Sequence, residues 1–486
     1  MVRAPTSSSD PLPNGTDAPG TPPGFPPVRP GRVDRLPLLC STGVGMVFGL
    51  MFVLPSGYSY GAGLLLLLSL YCAFAPSCRP YRTAALSRED YGLVWALLAY
   101  FLVALAATAW LGNDFYDLDQ PLRAALAVPP LYMLLRLPYD LRWLWAGVAT
   151  GVMFSVGVGW WQLHVLGFDR AEGYLNIIHF GNIALVFGAF CAAGLQWVAH
   201  LPRARRLPWC AALLAGMASS GYSIMASGSR GSWVALPVLI LLYGVAFLNR
   251  RNLLLAGGGV CAILVAAVVT FNLPDSRLRD RYDAAVQDIR LYQQGHADTS
   301  LGARFVMWTG AALNIPERPF LGWNHDAYDA RIEQRVADGE LDPVALKFTD
   351  NLHNSYLQAL AFQGLPGLLA LLAIYFVPLL GFCRRLRHTD VNVRALAYCG
   401  AAVCASYVFF SLTQVILRRN NGIMFYVLSV VIFWGGMRIR ERWREQGSGG
   451  GRGPGVGSRE TGEYPSVPIR ASRSTATSGA PVRTTL

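Results

Sequence analysis

Long apolar runs recur along the chain from about residue 36 to residue 437, separated by short polar stretches. A helix of about 20 apolar residues crosses a bilayer core of about 30 Å. Counted this way, the pattern predicts about 12 spans. They fall near 36–55, 58–76, 91–112, 121–137, 141–164, 174–200, 207–226, 232–249, 252–271, 356–382, 394–415 and 421–437. The runs are continuous rather than alternating, which favours helices over a closed barrel. The expected fold is therefore an all-α, polytopic helical membrane protein. Pro129 and Pro130 interrupt the fourth run. Such a break is tolerated only where neighbouring helices cover the freed backbone groups.

One polar stretch is too long to be a connector. Residues 272–355 separate the ninth and tenth runs and are not of low complexity. Helical rhythm appears over 274–294, over 300–322 as an interfacial helix ending before Pro316, and over 327–339. Long loops of this kind are usually functional or disordered; the expectation here is a small helical cap on the outer leaflet. The expected organisation is then a transmembrane bundle over 34–271, the loop 272–355, and three more spans over 356–437. Residues 1–33 are rich in Pro, Gly, Ser and Thr and hold no apolar core before a cleavage site. They read as a disordered cytoplasmic tail, not a signal peptide. Residues 438–486, which include "GSGGGRGPGVGS", read as a second one.

Composition agrees with the pattern. The chain is 53% hydrophobic and 14% charged, against about 25% charged in soluble domains. Its net charge of +12 changes the picture only through its placement. Arginines gather in 77–90, at Arg136 and Arg142, in 202–206, in 249–252, in 383–394 and in 438–445. All lie on one side of the predicted spans, which the positive-inside rule makes cytoplasmic, together with both termini. No basic stripe with interleaved aromatics is present, so nucleic acid is not an expected partner. The nine cysteines lie in apolar runs or at their ends, without a CxxC pair. They read as small buried hydrophobes rather than as a disulfide framework or a zinc site. Arg170, Arg230, the long loop and the Arg418–Arg419 pair fall on the other side, and orientation does not explain them.

On that other side three stretches carry candidate chemistry. "SGSRGSW" (227–233) is a Ser/Gly-rich turn with Arg230, Ser229 and Ser232. Glycines let backbone N–H groups approach an anion, and the planar guanidinium suits phosphate oxygens. "SLGARFVMW" (300–308) places Arg304 among apolar neighbours. "DNLHNSY" (350–356) places His353 beside Asp350, Asn351 and Asn354, where an imidazole can move a proton near neutral pH. His179, in "NIIHFGN" (176–182), is a further candidate. Taken singly, each has a plain structural alternative: a snorkelling arginine, a headgroup anchor, a helix cap, a packed core histidine. Taken together on one membrane face, two arginines and a histidine make an anion clamp with a base. Departure of a diphosphate needs positive charge where negative charge develops.

"GSRGSW", "ARFVMW" and "HNSYLQALAFQGLPGLL" resemble the O-antigen ligase family, within the wider group of O-antigen ligases, O-antigen polymerases and related protein O-glycosyltransferases. Arg230 and Arg304 are 74 residues apart and Arg304 and His353 are 49 apart, similar to the family's Arg…Arg…His order. "RAEGYLNIIHFGN" (170–182) is similar to the segment preceding this region, with Ile177 where relatives carry proline. The resemblance runs from about 170 to 375.

It implies a membrane glycosyltransferase of the lipid-sugar-dependent type, with its active site in the large periplasmic loop and at the periplasmic face of the bacterial inner membrane. The implied donor is an undecaprenyl-diphosphate-linked O-antigen, and the implied acceptor is a sugar hydroxyl of lipid A-core, among membrane lipids. Transfer would invert the anomeric centre without a metal or other cofactor. Carried over, Arg230 and Arg304, with Ser229 and Ser232, would bind the diphosphate, and His353 would be the general base. Arg170, His179 and Asn354 would be further members of the site. The alternatives are an O-antigen polymerase, a protein O-glycosyltransferase, and, outside enzymes, a transporter of lipid-linked sugar. A transporter predicts inverted repeats and mid-membrane ionisable residues, and no obvious repeat is present.

Overall fold

A computed structural model of the chain describes residues 35–75, 78, 85–249, 258, 265, 268–269, 271–272 and 277–449. The expected tail over 1–33 lies outside the described residues, as does the ninth predicted span apart from isolated positions; of the expected tail over 438–486, residues 438–449 are helical and the rest lies outside the described residues. The described secondary structure is helical throughout. In chain order it comprises α1 (Arg35–Gly49), α2 (Tyr58–Phe74), α3 (Arg88–Leu111), α4 (Asp119–Leu126), α5 (Val128–Leu134), α6 (Leu141–His164), α7 (Ile177–Val198) and α8 (Arg203–Ser227). It continues with α9 (Arg230–Phe247), α10 (Arg277–Gln293), α11 (Ser300–Asn314), α12 (His325–Ala337), α13 (Ser355–Cys383), α14 (Val391–Phe410) and α15 (Asn420–Gly449).

A short polar residue sets the start of most long apolar helices. Ser87 and Asp90 form a reciprocal capping box at α3, and Asp140, Asn176, Asn354 and Asp390 accept the first free N–H groups of α6, α7, α13 and α14. Each cap satisfies donors that the helix itself leaves open. Seven of the described helices, α3, α6, α7, α8, α13, α14 and α15, are long and apolar enough to cross a membrane, and α1, α2 and α9 are shorter apolar helices. The protein is a polytopic helical membrane protein.

The fourth predicted run is not a single helix. It divides into α4, of eight residues, and α5, of seven. At about 1.5 Å per residue neither approaches the ~30 Å of a bilayer core. Pro129 and Pro130 occupy the first turn of α5, where their missing N–H groups cost no hydrogen bond. The last helix differs in the other direction, since α15 runs on to Gly449 rather than stopping near 437.

Helices α7, α14 and α15 form the centre of the bundle and are mostly buried by protein. Their contact is aromatic. Phe190 meets Phe433 edge-on with ring centres 4.9 Å apart, Phe187 stacks on Phe425 at 5.7 Å, and Phe48 of α1 closes the cluster. By contrast α3 exposes Trp95, Leu102 and Trp110, as a lipid-facing helix does. Where α3 begins and α13 ends, Arg385 bridges Glu89 at 2.6 Å and Glu441 at 3.0 Å, and Arg438 reaches Asp90 at 3.2 Å.

Residues 295–353 cap the opposite end, where α3 ends and α13 begins. The cap has its own core, including Met307, Trp323, Tyr328, Ile332 and Leu352, which meets Phe362 of α13. Buried Arg335 ties α11 to α12 through Asn314 and Glu317, both at 2.6 Å. The junction between cap and bundle is a break in α13. Gly364 has φ +62° and ψ −161°. In an unbroken helix the Leu365 N–H would donate to the Ala361 carbonyl. Here the Leu365 N–H donates to the Pro319 carbonyl at 2.9 Å, and the Ala361 carbonyl accepts from the Trp323 N–H at 2.7 Å. The cap segment 319–323 thus completes the hydrogen bonds that the break opens. A Cβ on Gly364 would lie 2.3 Å from the Phe320 oxygen, so the backbones touch only because glycine stands there.

Candidate active site

His353 stands one residue before the α13 cap, in an unusual backbone conformation. Its φ is +48°, in the left-handed region that non-glycine residues seldom occupy. The Asn351 side chain holds it there by accepting the His353 N–H at 3.0 Å. The segment is fixed on both flanks. Leu352 donates its N–H to Gln358 Oε1 at 2.9 Å, and its carbonyl accepts from Trp308 Nε1 at 2.9 Å. Asn354 caps α13 by accepting from Tyr356 and Leu357 N–H at 2.9 and 3.1 Å.

The imidazole itself is oriented by a residue that sequence reasoning missed. His353 Nδ1 lies 2.7 Å from Gln414 Oε1. An amide oxygen only accepts, so Nδ1 carries the proton and Nε2 keeps its lone pair. Nε2 makes no hydrogen bond among the described residues. His353 is half-buried. That burial pushes its pKa below the usual histidine value, and the guanidiniums of Arg304 and Arg419 push it further down, while the Gln414 contact works the other way. The result is a neutral imidazole near neutral pH with one basic nitrogen.

The segment 411–419, between α14 and α15, gathers the site. Gln414 holds His353, and its carbonyl accepts from Ser355 Oγ at 2.8 Å. The Ser411 carbonyl accepts from the Ser355 N–H at 2.8 Å, and the Leu412 carbonyl from Asn354 Nδ2 at 3.3 Å. Thr413 faces the Ser/Gly turn, since a Cβ on Gly231 would meet Thr413 Oγ1 at 3.5 Å. Arg230 is the first residue of α9 at this turn. Arg304 lies one helical turn before Trp308, which bonds Leu352. The Ser/Gly turn, the Arg304 helix and His353 therefore converge on one end of the bundle.

Other candidates have more structural settings. Ser229 and Ser232 are buried, and the Ser232 hydroxyl donates to Asn182 Oδ1 at 2.9 Å. Ser229 precedes α9 without a side-chain cap bond. Arg170 Nε and Nη2 donate to the carbonyls of Ser227 and Gly228 at 2.7 and 3.1 Å, closing the C-terminal end of α8. A cation there complements the helix dipole. Beside it lies a cavity of about 410 Å³, lined by Asp169, Arg170, Gly228 and Asp280 among others. His179 is fully buried on α7, and neither ring nitrogen has a hydrogen-bond partner among the described residues. It packs below Gly422, next to the arginine pair. Gln414 had no signal in the sequence. The Arg418–Arg419 pair did, as charge that orientation leaves unexplained.

Comparison with known proteins bears on this region. A sequence model of the family described as O-Antigen ligase matches residues 213–372, the stretch that contains Arg230, Arg304 and His353. An uncharacterized protein of Haemophilus influenzae is 27% identical over 396 residues, covering 80% of this chain and 96% of that protein. An O-antigen ligase of Escherichia coli is 27% identical over 217 residues, covering 42% of this chain and 50% of the ligase. The region that brings the two arginine-bearing segments to His353 is thus the part of the chain that is similar to the O-antigen ligase family.

Proposed function

We propose that this protein transfers an undecaprenyl-diphosphate-linked O-antigen to a sugar hydroxyl of lipid A-core. Similarity to the family over residues 213–372 supports the coarser statement, a glycosyltransferase-like enzyme of ligase or polymerase type in lipopolysaccharide biosynthesis. The observation that supports the finer reading is the His353–Gln414 contact, which leaves Nε2 basic beside two arginine-bearing segments.

In this reading the acceptor O–H gives its proton to His353 Nε2 as its oxygen bonds to the anomeric carbon from the face opposite the leaving group. The bond from that carbon to the diphosphate oxygen breaks, and undecaprenyl diphosphate departs with the electron pair. Arg230 and Arg304 hold the diphosphate and stabilise the charge that develops on it. Gln414 keeps the imidazole in its reactive tautomer, and Asn351 and Asn354 fix the backbone around it. Ser229 and Ser232 shape the turn rather than meet the substrate. The site faces the periplasm, with both termini cytoplasmic, in the bacterial inner membrane.

The test uses cells that lack this gene but make the glycan donor and lipid A-core. Restoration of O-antigen-capped lipopolysaccharide by the wild-type gene, with long donor chains accumulating when His353→Ala is expressed instead, is the expected result. A donor pool that stays at single repeats without the gene identifies a polymerase and overturns the ligase reading.

A further inference from the structure

A second cavity lies behind the segment that carries His353. It has a volume of about 100 Å³ and sits between α3, the 113–121 segment, the start of α12, the first half of α13 and residues 415–418. It shares its wall with the site described above, since Ser355, Gln358 and Arg418 line it. Gln358 Nε2 donates to the Asp350 carbonyl at 3.2 Å, and Arg418 Nη1 donates to the same carbonyl.

The cavity is polar at one end and apolar at the other. At the polar end the Asp117 carboxylate is held by His325 at 3.3 Å and by Arg418 at 3.5 Å, so a single acid meets two basic side chains. The His325 ring stacks on Phe362 with centres 4.4 Å apart. His325 Nδ1 is buried without a hydrogen-bond partner among the described residues, and the half-buried Gln363 amide and Tyr100 hydroxyl line the cavity with no side-chain hydrogen bond of their own among the described residues. Gly367 makes room for the Gln363 amide, since a Cβ there would meet Gln363 Oε1 at 2.9 Å. At the apolar end the lining passes to Ala104, Ala107 and Leu371, beside Leu365 and Leu369, which α13 leaves exposed.

Half-buried amide and hydroxyl groups without partners are ready to bond something else. Neutral donors and acceptors beside an aromatic face suit hydroxyl groups on a sugar ring better than a phosphate. An apolar continuation along lipid-facing helices suits a saccharide carried on a lipid anchor. We propose that this cavity is the acceptor subsite: it binds a hydroxylated sugar of the lipid-anchored acceptor, while the diphosphate of the donor is held on the Arg304 side of the His353 segment. The proposal rests on the transfer reading given above and adds to it a place for the second substrate, with Gln363 and Tyr100 as the specificity-determining residues.

The experiment measures binding and transfer separately, with the full chain in nanodiscs. The probes are purified lipid A-core and an undecaprenyl-diphosphate glycan. Tyr100→Phe and Gln363→Leu are each expected to weaken lipid A-core binding about tenfold, or ~1.4 kcal/mol, and to raise its KM alike, with donor binding unchanged. His353→Ala is expected to abolish transfer and to leave lipid A-core binding intact. Tyr100→Phe removes one oxygen, so it keeps the test meaningful if Gln363→Leu folds poorly. Unchanged lipid A-core binding in Tyr100→Phe and in folded Gln363→Leu overturns the proposal, as does a loss of donor binding instead. A wild-type protein that binds lipid A-core through these residues yet transfers nothing to it contradicts the transfer reading and leaves the subsite standing.

Discussion

Gln414 Oε1 lies 2.7 Å from His353 Nδ1, and the two residues come from segments 61 positions apart in the sequence. With Gln414 Oε1 as the acceptor, Nδ1 carries the proton and Nε2 is the basic nitrogen of His353. A positioned base supplies about 10²–10⁴-fold in rate. Gln414→Leu removes the orienting acceptor without removing the base. It is expected to lower the transfer rate by about tenfold to a hundredfold, a part of that range, with little change in donor binding. A rate equal to wild type in single-turnover transfer assays contradicts this role.

The pH profile reports the charges around the imidazole. Burial, Arg304 and Arg419 lower the His353 pKa, and the neutral form is the active base. Activity is therefore present above that pKa and is lost as pH falls through it. Arg419→Gln removes one lowering charge, so the pKa rises and the acid limb of kcat/KM moves to higher pH. Arg419 is exposed, so the fold tolerates the change. An acid limb that stays in place, or moves to lower pH, contradicts the assignment of that limb to His353.

Ser232 separates a structural role from a binding one. Its hydroxyl is buried and donates to Asn182 Oδ1 at 2.9 Å, while Asn182 Nδ2 has no partner among the described residues. Ser232→Ala leaves the buried amide without its one hydrogen bond, at a cost of about 1–3 kcal/mol. The expected outcome is a lower thermal midpoint in detergent with an unchanged donor KM. A donor KM raised tenfold at unchanged stability assigns Ser232 to the diphosphate instead.

Gly364 and Gly322 test the junction between cap and bundle. Both have positive φ, and a Cβ on either would press on the other segment's backbone. Gly364→Ala is expected to cost about 1–3 kcal/mol. Because the two glycines serve one contact, the double variant should cost less than the sum of the single ones. Additive losses, read from thermal midpoints, mean that the two positions act independently.

The sequence made the helices legible because lipid leaves a continuous apolar run few other readings. Their exact starts came only with the structure, where Ser87, Asp140 and Asn354 cap them. The fourth run failed because its length suggested a span while Pro129 and Pro130 allowed only two short helices. The break in α13 was written in "QGLPG" (363–367), but an apolar run conceals a change of backbone direction. His353, Arg304 and Arg230 were found because their residue types are uncommon beside apolar runs. Gln414 was not, because a neutral amide in "SLTQVILRR" (411–419) gains its meaning only from what folds against it. The acceptor-side cavity draws on five separate segments, and no local pattern encodes such a meeting.

The central claim is that His353 acts as a base and not merely as a residue near a helix cap. The most direct measurement is single-turnover transfer by purified His353→Ala in nanodiscs, loaded with undecaprenyl-diphosphate glycan and lipid A-core. The account predicts a rate at least about a hundredfold below wild type, with donor and acceptor binding retained. A His353→Ala protein that transfers glycan at the wild-type rate contradicts it.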